Sequence, residues 1–354
     1  MGFLLAGKFI DRFGTRIGYA TAILWWSLAA GLHALANSVV GLGFWRGMLG
    51  LGEAGNFPAA IKAVAEWFPP KDRAFATGIF NAGSNVASMI GPPALVALSA
   101  VYGWRACFLV TALLGFVWLV VWLAIYRAPE KSEEQESSVT NIGWLDSLRA
   151  RPTWGFALGK FLTDPVWWFY LYWLPPYLYD VRKFDMKQIG WALPVVYLMA
   201  DVGSVGGGWL SGFLIRKGWA TERARRTAMA ICAFCMPVAA MAVFAPGPVV
   251  TIALVGLATA AHQGWSANLY TITSDTFPKE AVASVTGIGG CAGGIGGLLF
   301  SAVIPGWVVM HFGYTPMFVF MGTLHVIALF GMFPLLRSNN PNNPERQRGD
   351  GVRA

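Results

Sequence analysis

The sequence predicts an all-α membrane protein, two bundles of helices in one chain, and three observations carry that prediction. Of its 354 residues, 56% are hydrophobic and 12% charged, with a mean hydropathy of +0.52. A soluble domain carries about 25% charged residues, so this chain lacks the polar surface that a water-soluble fold of its size needs. Apolar runs long enough to cross a ~30 Å hydrocarbon core recur throughout. Segments of the first half also return, in the same order, in the second.

The chain opens on an apolar stub, Gly2 to Ala6, too short to cross a bilayer. Ten apolar runs follow, at 17–37, 39–66, 74–99, 104–126, 154–179, 188–215, 226–245, 248–273, 281–309 and 314–336. These divide the chain into a first bundle (1–127), a polar linker (128–152, with EKSEEQESS), a six-helix bundle (153–337) and a tail expected to be disordered (338–354). Placing alternate connections on alternate sides puts nineteen Lys and Arg on one side, against Arg105, Arg182, Lys183 and Lys187 on the other. Positive loops stay in the cytoplasm, so the linker and C-terminus are expected there, in a plasma (inner) membrane. The net charge of +8 then reflects topology rather than nucleic-acid binding. Cys107, Cys232, Cys235 and Cys291 lie in apolar runs and read as packing residues; Cys232 and Cys235 have CxxC spacing but no second ligand pair. No metal or cofactor is expected.

The internal repeat is specific. WFPPKDRAFATGI (67–79) matches TFPKEAVASVTGI (276–288) at an offset of 209, GKFIDRFGTR (7–16) matches GWLSGFLIRK (208–217) at 201, and GWRACF (103–108) matches GYTPMF (313–318) at 210. Parallel repeats of this kind build transporter halves around a central site. The same comparison leads us to expect roughly 49 residues ahead of Met1, a first helix and most of a second, making this chain N-terminally truncated relative to a twelve-span protein.

Inside the run 39–66, Arg46 and Glu53 stand seven residues apart among apolar and small residues. Nearly two helical turns separate them, about 10 Å along one face. An ionisable group in hydrocarbon costs at least about 2.5–3.5 kcal/mol, so such residues tend to face a cavity and mark a substrate or ion path. Lys62 lies near a helix end, where it can snorkel, and reads as structural. Lys160 and Asp164 sit one turn apart and either close an internal ion pair or present Lys160 to an anion.

GKFIDRFGTR (7–16) resembles the G-x-x-x-D-R-x-G-x-R loop signature of the major facilitator superfamily. Together with Arg46 to Pro58, GIFNAGSNVASMIGPP (78–93), GKFLTDPVWWFYLYWLPPYL (159–178) and HQGWSANLYTITSDTFP (262–278), it is similar to the anion:cation symporter family, nearest its hexuronate and sugar-acid proton symporters. That resemblance implies a monomeric two-bundle transporter whose partners are a small organic anion, a proton and the bilayer. Asp11, Arg12 and Arg16 would form a gate that latches the halves in one state, or simply a basic topogenic loop. Gly212 stands where Asp11 does in the second half, so the latch is expected to be one-sided.

A sugar acid needs amide partners for hydroxyls and aromatic faces for C–H surfaces. The candidates are Asn81, Ser84 and Asn85; Trp168 and Tyr172; and Gln263, Trp265 and Asn268, with Arg46 and Lys160 for the carboxylate. For the aromatics, lipid or core packing is the competing reading. Glu53 is expected to carry the coupled proton, its protonation freeing Arg46 for the substrate. Asp201 either faces the cavity or binds a backbone amide; His262 is either a relay or a structurally satisfied histidine; the glycine stripe at 289–297 reads as tight helix packing. A membrane enzyme is disfavoured, since His33, His262, His311 and His325 form no HExxH or triad pattern. A sensor would need a signalling domain, and residues 338–354 are short and featureless. Exchange or facilitated movement of another carboxylate, or an inactive fragment, remain the alternatives to import by symport.

Overall fold

The computed structural model describes residues 1–129 and 144–336. Much of the expected linker and the whole expected tail lie outside the described residues. All ten apolar runs are helical. Helices α1 (Gly2–Phe13) and α2 (Thr15–Leu32) are followed by a span broken into α3 (Val39–Glu53) and α4 (Asn56–Trp67). Ser38 starts α3 by accepting a hydrogen bond from the Gly41 N–H at 3.0 Å. The break falls directly after Glu53, so the intramembrane acid ends a helix instead of lying within one. Long helices α5 (Pro70–Tyr102) and α6 (Trp104–Ile125) complete the first bundle.

After the short α7 (Trp144–Arg149), the second bundle runs through α8 (Arg151–Asp180), α9 (Met186–Arg216), α10 (Thr221–Ala240) and α11 (Pro248–Thr276). Asp185 and Gln188 form a reciprocal capping box that starts α9. The chain ends its described part with α12 (Val282–Gly297), a π-helical turn at 298–303, α13 (Ile304–Phe312) and α14 (Thr315–Leu336). Tight turns at Gly103 (φ 80°) and Gly313 (φ 75°), repeat-related positions, adopt positive φ that L side chains resist.

Among the described residues six helical segments are long and apolar enough to cross a membrane. Helices α8 and α11, at 30 and 29 residues, are long but not among them. Their polar side chains explain this, and their positions make it tolerable: α11 packs against α5, α8, α9 and α10, so protein rather than lipid meets its polar groups. Helix α6, by contrast, exposes Leu109, Leu113, Leu114, Val117 and Val120, the side chains that lipid would cover.

The repeat organises how the halves meet. A Cβ on Gly7 would lie 2.4 Å from the Ala283 carbonyl oxygen, and one on its counterpart Gly208 would lie 2.2 Å from that of Ala74, the counterpart of Ala283. The second pair behaves alike: Gly287 is closed against the Phe3 carbonyl at 2.3 Å and Gly78 against that of Ser204 at 2.5 Å. Thus α1 crosses α12, and α9 crosses α5, at backbone contact distance. Glycines at these four positions are what let the crossings form.

Ion pairs lock the same end of the molecule, the end bearing most of the basic residues. Asp11 accepts hydrogen bonds from the backbone N–H groups of Ala283 (3.3 Å) and Ser284 (2.6 Å), capping α12 from the other half. Lys62 does not snorkel: it is 4% exposed and pairs with Asp11 at 2.7 Å. Gly212 supplies no acid to the second crossing, yet ion pairs from other residues join the halves there too. Asp275 receives Arg73 from the first half and Arg225 from its own, each at 3.1 Å, while Arg225 also donates to the Pro70 carbonyl oxygen and Arg216 pairs with Asp72 at 3.2 Å. These pairs use residues that the Gly212 comparison could not show. Arg12 and Arg16 are exposed; Arg16 donates to the Leu123 carbonyl oxygen at 2.7 Å, within its own bundle, and Arg12 lies over the Phe13 ring. Only Asp11 of the three makes a bond to the other half among the described residues.

Candidate functional site

Three polar side chains meet across the interface of the halves. Asn85 of α5 donates to Asp201 of α9 at 2.8 Å, and Gln263 of α11 donates to Asn85 Oδ1 at 3.4 Å. Asn85, Asp201 and Gln263 are each the sixteenth residue of their helices, which are 33, 31 and 29 residues long. The network therefore sits at the middle of the membrane-spanning length. Asn85 and Gln263 are buried and Asp201 half-buried; the bond recorded for Asp201 is to neither a backbone amide nor an open cavity but to the Asn85 side chain on the opposite half.

One turn away, Asn81 donates to Ser266 Oγ at 3.4 Å, again across the halves. Its Oδ1 is buried and has no hydrogen-bond partner among the described residues. A buried amide oxygen left this way costs of order 1–3 kcal/mol, and a ligand hydroxyl would satisfy it. Ser84 is exposed and donates to the Asn81 carbonyl oxygen.

Arg46 and Glu53 share an exposed face of α3, close enough for their charges to attract. Among the described residues they form no ion pair within 4 Å, so the guanidinium is uncommitted. Lys160 is committed. It is 3% exposed, pairs with Asp164 at 2.8 Å, donates to the Tyr270 hydroxyl at 2.6 Å and lies 4.1 Å from that ring's centre. Gly293 on α12 makes room for the pair, since a Cβ there would fall 2.1 Å from Asp164 Oδ2.

The other candidates separate. Trp168 and Tyr172 stack on each other along α8, 39% and 59% exposed. Trp265 does not reach an open surface: it is 0% exposed, packed among Phe156, Met229 and Leu269 in the second bundle's core. Asn268, also 0% exposed, donates from Nδ2 to the Gly207 and Gly264 carbonyl oxygens, both at 2.9 Å, and so ties α11 to α9; its Oδ1, like Trp265 Nε1, is buried without a hydrogen-bond partner among the described residues. Both residues pack within the second bundle in this state. His262 lies 3.2 Å from His325 and stacks on Trp167. The glycine stripe seats α12 on α8, with Phe156 over Gly289 and Trp168 beside Gly297.

Sequence reasoning did not single out Phe57, Tyr270, Ser266 or the Arg73–Asp275–Arg225 cluster. For Asp275 a signal existed. At the repeat offset of 209 it aligns with Glu66, each two residues ahead of a Phe-Pro pair, and both are half-buried acids holding partners at the basic end. No signal of that kind marks Tyr270, whose importance comes from what it touches.

Comparison with known proteins follows this geometry. The sequence model of the Major Facilitator Superfamily matches residues 1–301 and 217–352. The Hexuronate transporter of Escherichia coli (strain K12) is 31% identical over 94% of this chain and 81% of its own length. The D-galactonate transporter of Escherichia coli O6:H1 (strain CFT073) is 28% identical over 91% of this chain and 80% of its own. Among solved structures, the transporter FucP in its outward conformation superposes with a TM-score of 0.70 at 14% identity, covering 95% of this chain and 87% of that one; at that identity the likeness concerns the fold. With two bundles meeting through repeat-related crossings and relatives that are transporters rather than enzymes, the chain belongs to the Major Facilitator Superfamily and is a multi-pass membrane protein.

Proposed function

We propose that this protein imports a sugar acid of the hexuronate type by proton symport with alternating access. The observation that carries the reading is the mid-membrane network Asn85–Asp201–Gln263, a polar junction between the halves at the depth where such transporters bind substrate. The relatives' names supply the substrate class. Asn81 Oδ1, unpaired, is an acceptor for a sugar hydroxyl. Arg46, uncommitted and charged, receives the carboxylate, and the exposed Trp168 and Tyr172 rings offer C–H stacking surfaces.

Glu53 carries the proton in this scheme. While it is ionised it competes for Arg46; once protonated it releases Arg46 to the substrate anion, and loss of the proton on the other side restores competition and expels the anion. The basic end faces the cytoplasm. Asp11, where it caps α12, and the Arg73–Asp275–Arg225 cluster are then the cytoplasmic gate, closed in the conformation described here. Uptake of radiolabelled D-galacturonate into proteoliposomes of the purified protein tests the function. An imposed pH gradient, acid outside, should drive accumulation several-fold above equilibrium. Uptake that equilibrates without accumulating would replace symport by facilitated movement, and absence of both uptake and counterflow would refute transport of this class.

A further inference from the structure

Between the midplane network and the latches at the basic end lies a layer of aromatic rings drawn from both halves. Tyr270 is seven residues beyond Gln263 on α11, about 10 Å nearer the basic end. Its ring stacks on Phe57 of α4, with centroids 5.0 Å apart and planes 13° from parallel. Phe80 of α5 meets Phe57 edge-on at 5.3 Å, and Phe156 of α8 lies 6.3 Å from Tyr270. Phe57 and Phe80 belong to the first half, Tyr270 and Phe156 to the second. Phe57 is also only four residues past Glu53, just across the break between α3 and α4.

What holds Tyr270 in this stack is a lysine. Lys160 donates to its hydroxyl at 2.6 Å with Nζ 4.1 Å from the ring centre, while Asp164 balances the lysine's charge at 2.8 Å. Lys160 Nζ is thus the only side-chain partner of the Tyr270 hydroxyl recorded among the described residues. Asp164 is the more open member of the ion pair, with 20% of its side chain exposed against 4% for Lys160.

We propose that Phe57 and Tyr270 form an inner gate beneath the substrate site, and that Lys160 is its catch: a substrate carboxylate that draws Lys160 away from Tyr270 releases the stack and favours opening toward the basic end. The catch rests on the sugar-acid reading above for its trigger; the gate itself does not. Lys160 then works as a positioning residue in the closed state and meets the anion only in passing between states. This explains why a cation expected to bind substrate is found fully engaged inside the second half.

The test reads the population of the state open at the basic end. Cys107, Cys232, Cys235 and Cys291 are replaced by serine or alanine, and Ser266→Cys, beside Asn81 and one turn above Tyr270, becomes the reporter. A membrane-impermeant maleimide is applied from the basic side of reconstituted vesicles. In the reporter parent labelling should be slow. Tyr270→Phe, which removes only the hydroxyl and keeps the ring, and Lys160→Gln should each accelerate it several-fold without any substrate; Phe57→Ala should do so more strongly. Adding D-galacturonate should accelerate labelling of the parent but not of Lys160→Gln. Equal rates in the parent, Tyr270→Phe and Lys160→Gln, all eluting as the parent does in size exclusion, would overturn the gate. A galacturonate response that persists undiminished in Lys160→Gln would overturn the catch. Failure of the parent to take up galacturonate would instead count against the transport reading, because the substrate-free rates are measured separately.

Discussion

Asp11 shows how much one side chain can carry. Its carboxylate accepts two backbone N–H groups at the start of α12 and the ammonium of Lys62. Because Asp11 and Lys62 have side chains only 9% and 5% exposed, removing one partner strands the other; breaking a buried pair this way costs about 3–5 kcal/mol. Asp11→Ala should therefore lower the thermal unfolding temperature in detergent, and pairing it with Lys62→Met should recover part of the loss. Independent, additive losses in the double variant would show that the two do not act as a pair. Glu53 gives the functional counterpart. Glu53→Gln should abolish accumulation on a pH gradient while leaving galacturonate counterflow within a few-fold of the parent, and uphill uptake by this variant would remove Glu53 as the proton carrier.

At the scale of elements, the crossings of α1 with α12 and of α9 with α5 depend on backbone contact. A side chain at Gly7 or Gly208 would have to displace a carbonyl oxygen 2.4 or 2.2 Å from its Cβ, and backbone yields poorly. Gly7→Val and Gly208→Val should both disfavour the conformation closed at the basic end and, being repeat-related, should do so to similar degree. Maleimide labelling of the same reporter cysteine measures this; normal protection in either variant would show that the crossing can slide. The broken span α3–α4 makes the complementary point. Its sequence is apolar enough to read as one run, yet Ala54 and Gly55 interrupt it immediately after Glu53, leaving the carboxylate at a helix end.

For the whole molecule, polar and charged side chains join the halves at two depths, mid-membrane and the basic end, with the Phe57–Tyr270 stack between them. Asn85→Leu removes the hub of the first junction and leaves Asp201 half-buried without its recorded partner. It should suppress galacturonate uptake at least tenfold, within the range that an unpaired buried polar group of about 1–3 kcal/mol would produce, while the ion pairs at the basic end keep the protein folded. Wild-type uptake in this variant would assign the network to packing. The legibility of these features from sequence differs for a physical reason. Arg46, Glu53, Asn81, Asn85 and Gln263 could be picked out because a polar group in an apolar run is costly and therefore informative. Trp265 and Asn268 could be picked out by the same logic, yet their faces turn inward. Period and spacing name a face of a helix, but not the neighbour it meets.

The sequence by itself determined that the chain crosses a membrane repeatedly, that its halves are repeats and that charge is concentrated at one end. These follow from composition and periodicity, which act locally along the chain. Only the tertiary structure decided that Lys160 is held by Asp164 and Tyr270, that Asp201 answers to Asn85 across the interface, and that Asp275 replaces the latch acid absent at Gly212. Apart from the one-turn Lys160–Asp164 pair, which spacing alone left open between two readings, each of those is a contact between residues far apart in sequence and on different helices. Such contacts are set by how glycine-lined crossings rotate one helix against another, which no single helix records.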